Sequence, residues 1–454
     1  MHRASGADPG AELATTGRRA GRAADPPGLK ARRDAVLALA AVLREGRPLD
    51  LVLAGTGGDD DAGESRDRAL TRVIVATTLR RLGEIERVLG RFLERPLPRK
   101  SGRAREILLT GATQLLFLRT PPHAVIDLAV RLTGAQPDSR HLGGLVNAVL
   151  RKVAAGGEDL VSGDDAAVVN TPAWLMERWT AAFGSDRAQA IAASHLNEPP
   201  LDLTARVPAA VAAELGGVVL PSGTVRLAAA RGRIEDLPGY REGGWWVQDA
   251  AAALPARLLG EVRDKRVADL CAAPGGKTAQ LAAAGAAVTV VERSAARLRR
   301  LEANLQRLKL SAELVCADVT EWQPAERFDA VLLDAPCSAT GTIRRNPDVL
   351  HNKTPTTIAA LVPLQAQLIR RAIDMVKPGG RLVYATCSLE DEECGQQIEA
   401  LLAERRDIAR EPIRAEELQV ESALIDDAGD LRTLPIHGMD GFYAARLRKL
   451  GSRQ

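Results

Sequence analysis

Apolar positions along this chain follow two rhythms, and the change between them divides it. Ala35, Val36, Leu39, Val42 and Leu43 recur at helical spacing. The same rhythm continues over 68–92, with a break expected near Gly83, and over 105–118, where Pro121-Pro122 ends it. Two more such stretches cover 123–132 and 141–153. These stripes predict an all-α bundle with its own core over 28–156. Residues 156–165 read as a linker. Over 165–243 the rhythm is mixed: 172–183 and 187–196 predict helices, while 201–205 and 224–227 alternate like strands. A small α/β domain is expected there. From 244 to 454 short apolar runs (267–270, 287–291, 312–315, 330–333 and 381–385) alternate with helical stretches. That alternation predicts a doubly wound, Rossmann-like parallel sheet.

Composition narrows the function classes. At 454 residues the chain is long enough for two or three domains, and 46% hydrophobic content is ordinary for a globular protein. The net charge of +3 argues against a wholly electrostatic nucleic-acid binder, so local patches must carry any contact with RNA or DNA. Aromatic residues at 3% are too few for a broad base-stacking platform. No apolar run approaches a membrane span, and no secretory signal precedes the cysteines. A soluble, cytoplasmic protein without disulfides is expected. No C-x-x-C pair exists and the six His are not grouped, so no metal site is expected. Residues 1–27, rich in Ala, Gly, Pro and Arg, predict a disordered tail, solvated or touching RNA.

The candidate chemistry lies at the ends of the predicted strands, where ligands of such sheets bind. Cys337 and Cys387 each stand where an apolar run gives way to a polar turn, so both thiols are expected at one crevice. Cys316 and Cys394 are read as small buried hydrophobes, and Cys271 as serving the shape of a turn. That turn, Cys271-Ala272-Ala273-Pro274-Gly275-Gly276-Lys277, follows the first strand and opens a helix, so its N–H groups can face a ligand. It is neither G-x-G-x-x-G nor a P-loop, whose first Gly would fall on Cys271. Carboxylates at successive strand ends complete the set. Glu292 suits ribose hydroxyls, Asp318 an adenine amine, and Asp334 follows the fourth strand. Ribose, adenine and a cationic amino acid together describe S-adenosyl-L-methionine. Ser388 and the acidic run 390–393 predict a cap and first helical turn just after Cys387. Lys277, Arg344 and Arg345 are candidate RNA phosphate contacts, the arginine pair being equally readable as solvated charge.

Three motifs together resemble the RsmB/Sun group of RNA cytosine-5 methyltransferases: the 269–278 turn, Asp334-Ala335-Pro336-Cys337-Ser338-Ala339-Thr340-Gly341, and Tyr384-Ala385-Thr386-Cys387-Ser388. Arg344-Arg345-Asn346-Pro347-Asp348 and Asp440-Gly441-Phe442-Tyr443 support the likeness, and Trp246-Val247-Gln248-Asp249 looks like the entry to the catalytic domain. The helical region resembles a NusB-like RNA-binding domain through 123–127 and 144–151. The resemblance implies methyl transfer to carbon 5 of a cytidine in small-subunit (16S) ribosomal RNA. It implies S-adenosyl-L-methionine bound by Cys271 to Lys277, Glu292, Asp318 and Asp334, with Cys387 as nucleophile and Cys337 aiding release. Asp334 is also expected to bind the base edge. No obligatory protein partner is evident. Glu292 stands where the family usually has Asp, and 348–351 lacks an expected Lys-Trp pair. Transfer RNA as substrate, a DNA-type enzyme using Cys337 as nucleophile, and a non-enzymatic NusB-like RNA-binding factor are the competing readings.

Overall fold

The structure, a computed structural model, describes residues 25–54, 62–98, 100–163, 165–228 and 232–451. The expected tail lies outside the described residues except for 25–27.

A helical front domain comes first. Its main helices are Leu29–Glu45, Ala62–Arg80, Leu82–Phe92, Ala104–Leu116, Pro122–Gly134 and Gly143–Gly156. Val36, Leu39, Ile74, Leu79, Ile85, Leu108, Val146 and Leu150 fill the core. The break expected near Gly83 falls at Arg81, between two helices. Gly83 serves packing: a Cβ there would stand 2.0 Å from the Val169 carbonyl oxygen. The linker is docked rather than free. Leu160 and Val161 pack on the bundle core, and the short helix Ala166–Asn170 that follows the linker also returns to the bundle, where Asn170 Nδ2 donates to Glu84 Oε2 at 2.6 Å.

A small sheet follows, with β1 Leu201–Ala205, β2 Val218–Val219, β3 Val225–Leu227 and β4 Trp245–Val247 in the order β2-β3-β1-β4. Two differences from the sequence reading appear here. Trp246-Val247 is not the start of the catalytic sheet but lies in the fourth strand of this one, pairing antiparallel with β1. Helices Ala173–Phe183 and Ser185–Ser194 do not cover the small sheet either. Their apolar faces (Leu175, Trp179, Ile191) pack on Ile343, Val349, Leu350, Leu389 and Leu434, because the loops of the larger sheet offer the apolar surface they need.

The larger sheet has eight strands: β5 Arg266–Leu270, β6 Ala287–Val291, β7 Glu313–Val315, β8 Phe328–Asp334, β9 Val376–Thr386, β10 Ile408–Arg410, β11 Leu431–Thr433 and β12 Phe442–Lys449. Along the order β10-β12-β9-β8-β5-β6-β7, the five strands β5 to β9 run parallel. β12 is antiparallel to β9, so the sheet is mixed rather than wholly parallel. Strand order reverses at β5, which pairs with β6 on one side and β8 on the other. The crevice beyond that reversal is the ligand position of such folds.

A buried charge cluster ties these parts together. Arg344 bonds both Asp249 Oδ2 (2.6 Å) and Asp440 Oδ1 (2.5 Å), and Arg345 bonds the same two carboxylates. Arg344→Ala should therefore destabilise the chain by about 3 kcal/mol, near the low end for a broken buried pair because Arg345 still holds both carboxylates. Arg344→Lys should recover less than half of that, since an ammonium cannot bridge both acids as a guanidinium fork does. Denaturant midpoints test this; an unchanged midpoint for Arg344→Ala would refute the clamp.

Candidate active site

The Gly-rich turn is shaped by backbone, not by side-chain chemistry. Cys271 continues the sheet, its N–H donating to the Val291 carbonyl at 2.9 Å, and then adopts φ 59°. Gly275 has φ 99°, and a Cβ there would meet Leu301 Cγ at 2.8 Å. Ala272 and Ala273 are buried and Pro274 is exposed, while Gly276 begins the helix Gly276–Ala283. Helix Ala295–Arg307 braces the turn from outside: Arg297 Nη2 donates to the Ala273 carbonyl at 2.5 Å and Asn304 Nδ2 to that of Pro274 at 3.1 Å. Asp269 at the tip of β5 accepts from Thr278 Oγ1 at 2.6 Å, and burial pushes its carboxyl up to about 7. Burial and the charges of Glu292, Asp334 and Asp269 push the Cys271 thiol up to about 12, which leaves it inert at neutral pH.

Glu292 follows β6 and is 2% exposed. Its Oε1 accepts from the Ser294 N–H at 2.9 Å, whereas Oε2 is buried without a hydrogen-bond partner, with Arg297 Nη1 3.3 Å away. An acceptor of this kind, left open at a strand tip, fits a ribose hydroxyl. Asp318 lies beyond β7, and its Oδ1 accepts from Thr320 Oγ1 (2.7 Å) and N–H (2.9 Å), which hold the carboxyl below its ordinary range.

The two cysteines meet. Cys337 Sγ and Cys387 Sγ are 3.4 Å apart beyond the adjacent strands β8 and β9. The hydrogen bond to Cys387, then burial, then the charges of Cys387 and Glu393 raise the Cys337 thiol well above its usual value. Cys337 therefore keeps its proton. Lys277 Nζ stands 2.7 Å from Asp334 Oδ2 and 4.9 Å from the Phe442 ring centroid. Burial opposes the Lys277 charge, but Asp334 and Asp269 outweigh it and raise its value, with Cys387 adding to the same side. A cavity of about 470 Å³ opens onto this pair, lined also by Trp246, Gln248, Gly275 and Arg300.

Several expectations need correcting. Arg344 and Arg345 are neither phosphate contacts nor a solvated pair: Arg344 is 4% exposed and both are committed to Asp249 and Asp440. Lys277, 8% exposed, is turned inward to Asp334 rather than toward a phosphate. The acidic run 390–393 does not form an α-helical first turn beside Cys387. It forms a short 3₁₀ turn at Asp391–Glu393, and the α-helix Gly395–Glu404 starts later, because Glu393 is drawn inward. Cys316 is exposed, not buried, whereas Cys394 is buried. Arg300, exposed on helix Ala295–Arg307, also lines the cavity, as does Gln248. Glu393 was hidden in the acidic run. The signal that pointed to it is the serine after each cysteine, Ser338 and Ser388, since two buried hydroxyls need an acceptor.

Among the described residues no group of three or more His, Cys, Asp or Glu stands at metal-holding positions, and no helix is long and apolar enough to cross a membrane.

Comparison with known proteins places the chain. The family model of the 16S rRNA methyltransferases RsmB/F matches residues 256–448, and that of the NusB family matches residues 29–155. A relative from Xanthomonas campestris pv. campestris, named ribosomal RNA small subunit methyltransferase B, is 36% identical over 93% of this chain and 98% of its own. One of the same name from Shewanella oneidensis is 34% identical over 85% and 91%. The crystal structure of PH0851 superposes with a TM-score of 0.76 at 23% identity, covering 94% of this chain and 99% of that one, a likeness that bears on fold alone. By these matches, in this order along its length, the chain belongs to the RsmB/F methyltransferase family and carries a NusB-family domain in front.

Proposed function

We propose that this chain methylates carbon 5 of a cytidine in small-subunit ribosomal RNA, using S-adenosyl-L-methionine and a covalent bond between Cys387 and the base. The observation that carries the reading is the pair of thiols 3.4 Å apart beside the Lys277–Asp334 ion pair. Ribosomal RNA as substrate rests on the names of the relatives and on the NusB-family match.

Carbon 5 of cytosine is too weak a nucleophile to be alkylated directly. Attack of the Cys387 thiolate on carbon 6 moves electron density to carbon 5, provided that ring nitrogen 3 gains a proton. The Lys277–Asp334 pair, at one wall of the cavity, serves that nitrogen: its ammonium is a donor and its carboxylate an orienting acceptor. S-adenosyl-L-methionine supplies an electrophilic methyl group when bound. The turn Cys271 to Lys277, Glu292 through its open Oε2, Asp318 and Asp334 would hold it. Product release requires loss of the carbon 5 proton and cleavage of the sulfur–carbon 6 bond. Cys337, in contact with Cys387, is placed to relay it: its own proton passes to the Cys387 sulfur as the bond to carbon 6 breaks, and Cys337 then accepts the proton lost from carbon 5. The raised thiol value of Cys337 suits this division of labour, because a thiol that stays protonated does not compete as nucleophile. The target base must be unpaired or extruded to enter.

Cys387→Ala should abolish both methyl transfer and adduct formation, while Cys337→Ala should accumulate an RNA–protein adduct. Labelled cofactor, protein-free ribosomal RNA, mapping of 5-methylcytosine and denaturing gels read this out. If Cys337→Ala abolishes the adduct and Cys387→Ala does not, the roles are reversed and a DNA-type mechanism applies. Glu292→Ala should weaken S-adenosyl-L-methionine binding by about tenfold to a hundredfold, the worth of a hydrogen bond to a charged group. Calorimetry decides it, and an unchanged affinity would remove Glu292 from the cofactor site.

A further inference from the structure

We infer that Glu393 is a positioning residue that sets the separation of the two reactive thiols by bonding the residue after each of them. This rests on the reading that Cys337 and Cys387 act together on one base.

Glu393 is fully buried, and four neutral donors converge on its carboxylate. Oε1 accepts from the Ser338 N–H at 2.9 Å and from Gln365 Nε2 at 3.0 Å. Oε2 accepts from the hydroxyls of Ser338 and of Ser388, the latter at 2.5 Å. The two hydroxyls are themselves 3.1 Å apart. One carboxylate thus spans the peptide that follows Cys337 and the side chain that follows Cys387. Gln365, on helix Pro355–Asp374, also donates to the Pro336 carbonyl at 2.9 Å, so the peptide before Cys337 is held by the same bracket. Tyr384 Oη donates to the Glu393 carbonyl at 2.7 Å and anchors the bracket to β9.

Stability alone gives no reason for this arrangement, since buried charge can often be exchanged for apolar packing at no loss. Position does. Beyond the strands, backbone bonds join Ala335 to Ala385 and Gly341 to Cys387 but neither falls on Cys337, and a thiol misplaced by about 1 Å loses the geometry that makes attack and release efficient. Hydrogen bonds to an ionised acceptor are shorter and stronger than neutral ones, which suits a spacer that must not stretch.

The test uses the full-length chain with Glu393→Gln, which keeps the Oε1 acceptor but replaces Oε2 with an amide that cannot accept from the hydroxyls. Ser338→Ala/Ser388→Ala removes the same contacts without touching Glu393 and carries the test if Glu393→Gln does not fold. Phenylarsenoxide, which bridges two close thiols with loss of one water, measures the thiol pair directly; Cys337→Ala defines the background. Both variants should bind the arsenical at least tenfold more weakly and lose about tenfold or more in kcat. KM for RNA and affinity for S-adenosyl-L-methionine should stay within about twofold, and Glu393→Asp should recover part of the loss. Unchanged arsenical affinity in both folded variants would overturn the inference. Arsenical binding that depends on Glu393 in a chain that makes no 5-methylcytosine would leave the positioning role standing and overturn the proposed reaction instead.

Discussion

The whole site depends on one pairing, the parallel ladder between β8 and β9. It aligns Leu333 with Tyr384 and Asp334 with Ala385, so both strands end at one edge, and the chain beyond each end carries a cysteine. A parallel pair delivers its two C-terminal ends to the same side, which an antiparallel pair cannot do. What the ladder does not do is hold the thiols once the strands have ended. Backbone bonds take over: Ala335 N–H to the Ala385 carbonyl at 2.8 Å, Gly341 N–H to the Cys387 carbonyl at 3.0 Å, and Gly441 N–H to the Gly341 carbonyl at 2.8 Å. Glycine is required at 341, where a Cβ would lie 2.0 Å from the Gly441 oxygen.

Burial sets the second constraint. Lys277, Asp269, Glu292, Glu393, Asp249 and Asp440 are all largely withdrawn from water within or around the crevice. Each charge must then be matched by a counter-charge or by several donors. The matches differ in kind. Lys277 faces Asp334, the Asp249–Asp440 pair faces two guanidinium groups, and Glu393 is satisfied by neutral donors alone. Glu292 faces Arg297, 3.3 Å away, and its Oε2, like Asp269 Oδ1, is a buried oxygen without a hydrogen-bond partner.

The fold was legible wherever periodicity was strong. The front helices and the five parallel strands appear where the apolar pattern puts them, because a helix or strand must bury its apolar stripe wherever it is. Helices Ala173–Phe183 and Ser185–Ser194 were legible as helices but not in their placement, since periodicity names a face and not its partner. The arginine pair failed for a similar reason. Arg344-Arg345 looks identical in sequence whether its carboxylates come from solvent-exposed neighbours or, as here, from residues far along the chain. Glu393 was obscured by its own neighbours: three of the four acids at 390–393 keep salt-bridge partners or partial exposure, and only tertiary contact separates the fourth.

The segment from Cys337 to His351 links these constraints. At one end it carries the Cys337 thiol and at the other it is the surface on which the front domain rests. Arg80 Nη2 donates to the Arg344 carbonyl at 2.8 Å, the Leu49 N–H to Asp348 Oδ2 at 3.2 Å, and His351 Nε2 lies 2.9 Å from the Leu79 carbonyl. The departure from the family pattern at 348–351 therefore falls at the domain contact, not in the cavity. Since Arg344 is bonded to Asp440, which precedes the Gly441 that touches Gly341, the same few peptides bear on both the front domain and the loop of Cys337. The Cys337 loop is therefore joined to the front domain through a short, charge-clamped segment rather than a flexible tether.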